Sequence, residues 1–243
     1  MFELKNIKKL YNNHLILDDV NIKVETGEIV GLIGKSGAGK TTVIRIATML
    51  ETVDSGELII DKDAYDLTRL SEKEIRNIRL KEGFVFQNFN LFKNKTVLEN
   101  VTEGLIYARN YTKDNAEKLA IEALEKVDMA HKRDEYPRNL SGGESQRVGI
   151  ARSLVYNPSV FFLDEPTSSL DVENKQEVIN VLKSMKDNKR TILLVTHEIN
   201  LIKTIADKVC FLNNGKIIEE GKTNEVIERP KTDELKHFLN STI

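Results

Sequence analysis

The chain has 243 residues, 40% hydrophobic and 30% charged, with a formal net charge of −2. That length carries one large or two small domains with a real apolar core, and the near-neutral charge gives no case for a nucleic-acid partner. No run approaches the ~18 apolar residues of a membrane span, and "MFELKNIKKLYNN" at the N-terminus lacks the apolar stretch of a secretory signal.

The first 30 residues alternate short extended runs ("FELKNI", "NIKVE") with turn signals ("YNN", "ETGE"), which predicts antiparallel β-structure. Tyr11 lies on one of these turns, where its ring could stack on a purine base or simply sit half-exposed. "EIVGLIG" reads as a buried strand that runs into "GKSGAGKT", and "KTTVIRIATML" as the helix behind it. Gly34, Gly39, Lys40 and Thr41 fit the phosphate-loop spacing G-x-x-x-x-G-K-[ST]. Such a loop curls so that successive N–H groups, here from Gly34 through Lys35, Ser36, Gly37, Ala38 and Gly39 to Thr42, face phosphate oxygens. Lys40 is then expected to reach the β- and γ-phosphates, and Thr41 to offer its hydroxyl to Mg²⁺.

"GELIIDKDAY" and "GFVFQ" read as further strands. Gln87, ending the second, carries a neutral amide able to contact Mg²⁺ or water when close and to release them when far. Residues 88–158 then change character. "TVLENVTEGLIYA", "KDNAEKLAIEALEKV" and "GESQRVGIARSLVY" have helical spacing with no strand between them. Beyond this block, "SVFFLDE", "RTILLVTH" and "KVCFLNNGKII" are apolar strands separated by helical patterns, which predicts a mostly parallel sheet covered on both faces. "VFFLDE" ends in two acids beside the phosphate loop. Asp164 is expected to hold Mg²⁺ directly or through its water, and Glu165 to orient or deprotonate an attacking water. His197 follows "TILLVT", so it too should lie at the carboxyl edge of the sheet and donate to a γ-phosphate oxygen. The single cysteine, Cys210, cannot form an internal disulfide, which fits a reducing compartment. The tail "KTDELKHFLNSTI" predicts a short amphipathic helix.

The expected organisation is a single α/β domain over 1–243. Residues 1–87 and 159–243 make a nucleotide-binding core with its β-layer, and 88–158 an inserted helical subdomain.

"GKSGAGKT", Gln87, "LSGGESQR", "VFFLDEPTSSLD" and "VTHE" occur in the order and approximate spacing of the ATP-binding-cassette (ABC) ATPases, and the resemblance spans essentially the whole chain. It implies an ABC-type P-loop fold that hydrolyses ATP with Mg²⁺. It also gives "LSGGESQR" a role. In the family two cassettes pack head to tail, and each ATP lies between one chain's P-loop and the other chain's signature. Ser141, Gly142, Gly143 and Glu144 would thus complete the site of a second copy, and Asp171 would run along the seam between the two. Glu144, Ser169 and Lys35 depart from the residues many members carry, which are glutamine, alanine, and proline, small or polar residues respectively. "FVFQNFNLFKNKTVLENV", "DEPTSSLDVENKQEV" and "TDELKHFL" look like the polar amino acid importers of prokaryotes. Those place the cassettes on the cytoplasmic face of the membrane, bound to permease subunits that receive substrate from an extracytoplasmic binding protein. An exporter or lipoprotein-release system would use the same motor; a non-transport cassette acting on DNA or ribosomes is the third reading, but that class usually carries long coiled-coil insertions or two cassettes in one chain, and this sequence has neither sustained heptads nor a second P-loop.

Overall fold

The computed structural model describes residues 1–242. β1 (Phe2–Tyr11) and β2 (His14–Val24) form a hairpin whose turn, Asn12–Asn13, has φ of 48° and 64°, the left-handed pair that matches strand twist. β3 (Ile29–Ile33) leads into α1 (Lys40–Ala47). β4 (Ser55–Ile60) and β5 (Asp63–Asp66) form a second hairpin. "GELIIDKDAY" is therefore two strands: Asp61, at φ 58°, reverses the chain. α2 (Glu72–Leu80) follows, started by a capping box in which Ser71 accepts from the Glu74 N–H and Glu74 accepts from the Ser71 N–H. β6 (Glu82–Val85) stops short of Gln87.

The helical stretch holds α3 (Val97–Tyr107), α4 (Lys113–Glu125) and α5 (Gly142–Leu154), as the apolar spacing predicts. Thereafter come β7 (Val160–Asp164), α6 (Val172–Asp187), β8 (Ile192–Val195), α7 (Ile199–Ile205), β9 (Lys208–Asn213), β10 (Lys216–Lys222), α8 (Thr223–Glu228) and α9 (Asp233–Thr242). "KVCFLNNGKII" is also a hairpin, turned at Asn214 and Gly215 with φ of 46° and 76°.

The chain forms two compact units. One holds Met1–Glu82, Ser159–Glu165 and Met185–Ile243, the other Gly83–Pro158 and Pro166–Ser184. In the first, an antiparallel sheet runs β2-β1-β4-β5, and a second sheet runs β10-β9-β3-β8-β7. β3 pairs parallel with β8 and β9, and β7 with β8. Every residue of β3 and β8 is buried, so these strands are covered on both faces, and polar groups appear only at their ends. Phe2 of the first sheet meets Phe162 of the second edge-on, ring centres 5.0 Å apart.

The second unit is helical. Val97, Val101 and Leu105 of α3, Ala116, Ala120 and Leu124 of α4, and Val148, Ile150 and Ala151 of α5 supply its buried apolar side chains. No helix among the described residues is long and apolar enough to cross a membrane.

Candidate functional site

The register of the central sheet sets the first half of the site. Leu32 pairs with Val195, and Val195 with Asp164, so the carboxyl ends of β3, β8 and β7 lie side by side, about 4.8 Å apart per strand. Three predicted elements leave from that edge: the glycine loop, the Asp164–Glu165 pair and His197.

The loop can close only with glycine at two positions. A side chain on Gly34 would come 2.2 Å from the Leu212 carbonyl oxygen. Gly39, at φ 107°, would collide with Leu17 at 2.7 Å. Gly39 is the N-cap of α1 and brings no capping side chain, and its carbonyl accepts from the Val43 N–H. The first-turn N–H groups of Lys40, Thr41 and Thr42 precede the first intrahelical bond and stay available to an anion, favoured by the helix's positive end. No acid stands in that first turn. Lys35, Ser36 and Gly37 are exposed at the loop tip, Ala38 is buried beneath it, and Thr41 is exposed. Lys40 Nζ arches back over the loop and donates to the carbonyls of Gly34 (2.7 Å) and Lys35 (3.0 Å). Burial pulls its pKa down, while Glu165 and Asp164 pull it up. The three charges thus share one electrostatic neighbourhood.

Burial pushes the Asp164 carboxyl above the usual carboxylate range, and the neighbouring Glu165 adds to the rise. Glu165 adopts a left-handed φ of 48°, which is uncommon for a non-glycine residue and re-aims the side chain as the strand ends. Its N–H donates to the Val195 carbonyl at 2.8 Å. Its carboxylate receives the Thr196 hydroxyl at 3.1 Å and lies 2.8 Å from His197 Nδ1. Thr196 is not evident from sequence, although it separates β8 from His197 and is fully buried.

Tyr11 sits at the tip of the β1–β2 hairpin, paired with His14. Two to three residues further along β2, Ile16 and Leu17 touch Gly39, which places the tyrosine roughly 7–10 Å along the strand from the loop. Lys9 Nζ lies 4.8 Å from its ring centre, and a hydrogen bond to Glu51 raises the phenol pKa.

The second unit carries the other predicted residues. Gln87 is exposed, and its amide donates to the Ser168 hydroxyl at 3.1 Å. Ser169 donates to the Gln87 carbonyl at 3.4 Å. After Gln87, Phe89 and Asn90 take φ of 57° and 48°, and the Arg152 guanidinium clamps both carbonyls at 2.9 and 2.7 Å.

Ser141 is the exposed N-cap of α5. It accepts from the Glu144 N–H at 3.2 Å, and Glu144 returns the bond by accepting the Ser141 N–H at 2.8 Å. Glu144 also pairs with Lys132. Burial alone would raise its pKa, but Lys132 and the Ser141 N–H outweigh that and hold it low. Carboxylate and amide both fit this third helical position, which is why glutamate stands there without cost. Gly142 and Gly143 form the first turn, unshielded by side chains of their own. Asp171 caps α6 and accepts from the backbone and side-chain amides of Asn174.

The structure therefore brings the glycine loop, Asp164, Glu165 and His197 together in one unit, and Gln87, Ser141, Gly142, Gly143, Glu144 and Asp171 in the other. The sequence reading did not single out Ser168, Asn174 or Lys132.

Residues 17–168 match the family model described as ABC transporter. Over 239 residues the chain is 42% identical to the probable amino-acid import ATP-binding protein YxeO of Bacillus subtilis, aligning 98% of this chain with 96% of that one. It is 41% identical to the L-cystine transport system ATP-binding protein TcyN of Escherichia coli, at the same coverage. The dimeric post-hydrolysis structure of the ATP-binding cassette MJ0796 with ADP and Pi is similar at a TM-score of 0.80 and 34% identity, over 92% of this chain and 99% of that one.

Proposed function

We propose that this chain, which belongs to the ABC transporter family and is an ATPase, drives an importer of polar amino acids as a pair of identical motor subunits. The observation that carries the reading is that one chain holds two helix N-termini suited to phosphate, α1 behind its glycine loop and α5 behind Ser141, in separate compact units. That each nucleotide uses one from each of two copies is what the ABC family resemblance implies, and the dimeric ATP-binding cassette to which the chain is similar supports it. The amino acid class is supported by the import and transport systems for which YxeO and TcyN are named.

On this reading the N–H groups from Gly34 to Thr42, with Lys40, hold the β- and γ-phosphates, and Tyr11 stacks on adenine. Thr41, Asp164 and Gln87 are oxygen donors of the kind Mg²⁺ accepts alongside substrate phosphates and water. The fit is supported at Asp164, whose raised pKa marks a desolvated acid beside a second acid, a place where a cation is favoured. Bound there, the ion would spread the charge of the phosphate oxygens. Glu165 takes the proton of the attacking water, held in place by Thr196. His197 orients against the γ-phosphate. Gln87 reports its presence to the helical unit. Ser141, Gly142, Gly143 and Glu144 close on the ATP of the partner, and Asp171 lines the seam. Closure on ATP and release after hydrolysis then move permease subunits that receive substrate from a binding protein, with the motor on the cytoplasmic face.

The test is co-purification. A tagged chain taken from detergent-solubilised membranes should bring a multi-spanning permease subunit, and its ATPase should rise when a binding protein loaded with a polar amino acid is added. A nucleic-acid partner, or a reconstituted complex that moves substrate outward, would overturn the reading.

A further inference from the structure

Ser141, Asn174 and Asp171 form a chain of hydrogen bonds within the helical unit. Asp171 Oδ1 accepts the Asn174 N–H at 2.9 Å, and Oδ2 accepts its side-chain amide at 2.7 Å. Ser141 Oγ lies 2.9 Å from Asn174 Oδ1. The directions are fixed by chemistry. Those two donors keep Asp171 below the usual carboxylate range, so it is ionised at neutral pH and can only accept. The amide must turn its NH₂ to Asp171, which leaves its oxygen facing Ser141. Ser141 must therefore donate. Its oxygen already accepts from Glu144, so its single proton is committed to Asn174. Asn174 also lies against the second signature glycine: a side chain on Gly143 would meet Asn174 Oδ1 at 2.4 Å.

A phosphate oxygen is also only an acceptor. Ser141 cannot donate one proton to Asn174 and to a phosphate at once. We propose that Asn174 is a positioning residue that holds the Ser141 proton, under the control of Asp171, and yields it when a γ-phosphate oxygen of the second copy arrives. This rests on the shared-site reading above. Asn174 thereby raises the ATP level at which two chains close, and by retaking the proton it helps them part after hydrolysis. A net intramolecular hydrogen bond corresponds to a factor of roughly 2 to 12 in an equilibrium constant, which bounds the effect per site.

The test uses the full chain in a Glu165→Gln background, where ATP should trap the dimer. Asn174→Ala removes the acceptor, and Asn174→Leu removes it while keeping the bulk against Gly143. Dimer formation at fixed protein concentration is followed by light scattering against ATP. Both variants should lower the half-saturating ATP by about three- to tenfold. Introduced alongside Ser141→Ala, they should shift it by less than about twofold, because the proton at issue is gone. With Glu165 restored, KM for ATP should fall by the same factor, whereas a merely structural residue would raise KM or lower kcat. An unchanged or raised half-saturation, or an equal shift with and without Ser141, overturns the role of Asn174. If the Glu165→Gln parent forms no ATP-dependent dimer, the shared-site reading falls and this inference with it.

Discussion

Glu165→Gln is the sharpest perturbation of the proposed chemistry because it changes one function and preserves the surroundings. Glutamine has the length of glutamate, can accept the Thr196 hydroxyl that now lies at 3.1 Å, and keeps the backbone bond to Val195. The local fold should therefore be preserved. Facing His197, the exchange reverses a hydrogen bond. The carboxylate can only accept from Nδ1, now 2.8 Å away, so a second N–H at Nε2 requires a doubly protonated ring. A glutamine NH₂ donates to Nδ1 instead and leaves the proton of the neutral ring on Nε2, free for a phosphate oxygen. The substitution also removes a negative charge near the γ-phosphate. Binding should therefore be kept or tightened while the base is lost. Loss of a general base costs about 10²–10⁴ in rate, or about 2.7–5.4 kcal/mol of barrier. Single-turnover hydrolysis of labelled ATP measures the rate, and size-exclusion chromatography with ATP reports the trapped dimer. Turnover at the wild-type rate would refute Glu165 as the base.

Lys40→Ala should weaken ATP binding by roughly 10- to 100-fold, the worth of a charge-assisted hydrogen bond; equilibrium dialysis checks it. Glu82, buried at the start of β6, has its pKa pushed up to about 8 by desolvation, with only a partial offset from Arg79. Because the folded value exceeds the unfolded one, the favourable contribution is complete below about pH 4.5 and is lost as pH rises towards 8, at up to about 1.4 kcal/mol per pH unit. Denaturant titrations at pH 5 and pH 8 should show wild type losing more stability than Glu82→Gln over that interval, and parallel losses would contradict the assignment.

What could be read from sequence was what is contiguous in sequence. The glycine loop, the acids ending "VFFLDE" and the helix behind "LSGG" are each written in a few consecutive residues whose local structure is self-determined. The two hairpins read as single runs: Asp61 reverses the chain through left-handed backbone with no glycine or proline to mark it, whereas Asn214–Gly215 is an Asn-Gly turn signal legible in the sequence. α2 gives a weak signal, because Ser71 and Glu74 spell a capping box but of the helix only Ile78 is buried, so its apolar stripe is narrow. The partnerships were out of reach for a different reason. His197 meets Glu165 from 32 residues away, and Asn174 meets Ser141 from 33, so each depends on how strands and helices pack. Likewise Ser169 looked like a departure and proved to hold the Gln87 carbonyl.

The central claim is that one nucleotide is held by two chains, and a crosslink tests it most directly. In a Cys210→Ala background, one chain carries Ser36→Cys at the tip of the glycine loop and a second carries Ser141→Cys at the cap of α5. Mixed under mild oxidation, they should yield a disulfide-linked product of twice the chain mass when ATP is present and none without it. A chain carrying both cysteines that closes the bond within itself at high dilution, or a mixed product indifferent to ATP, would contradict a site shared between subunits.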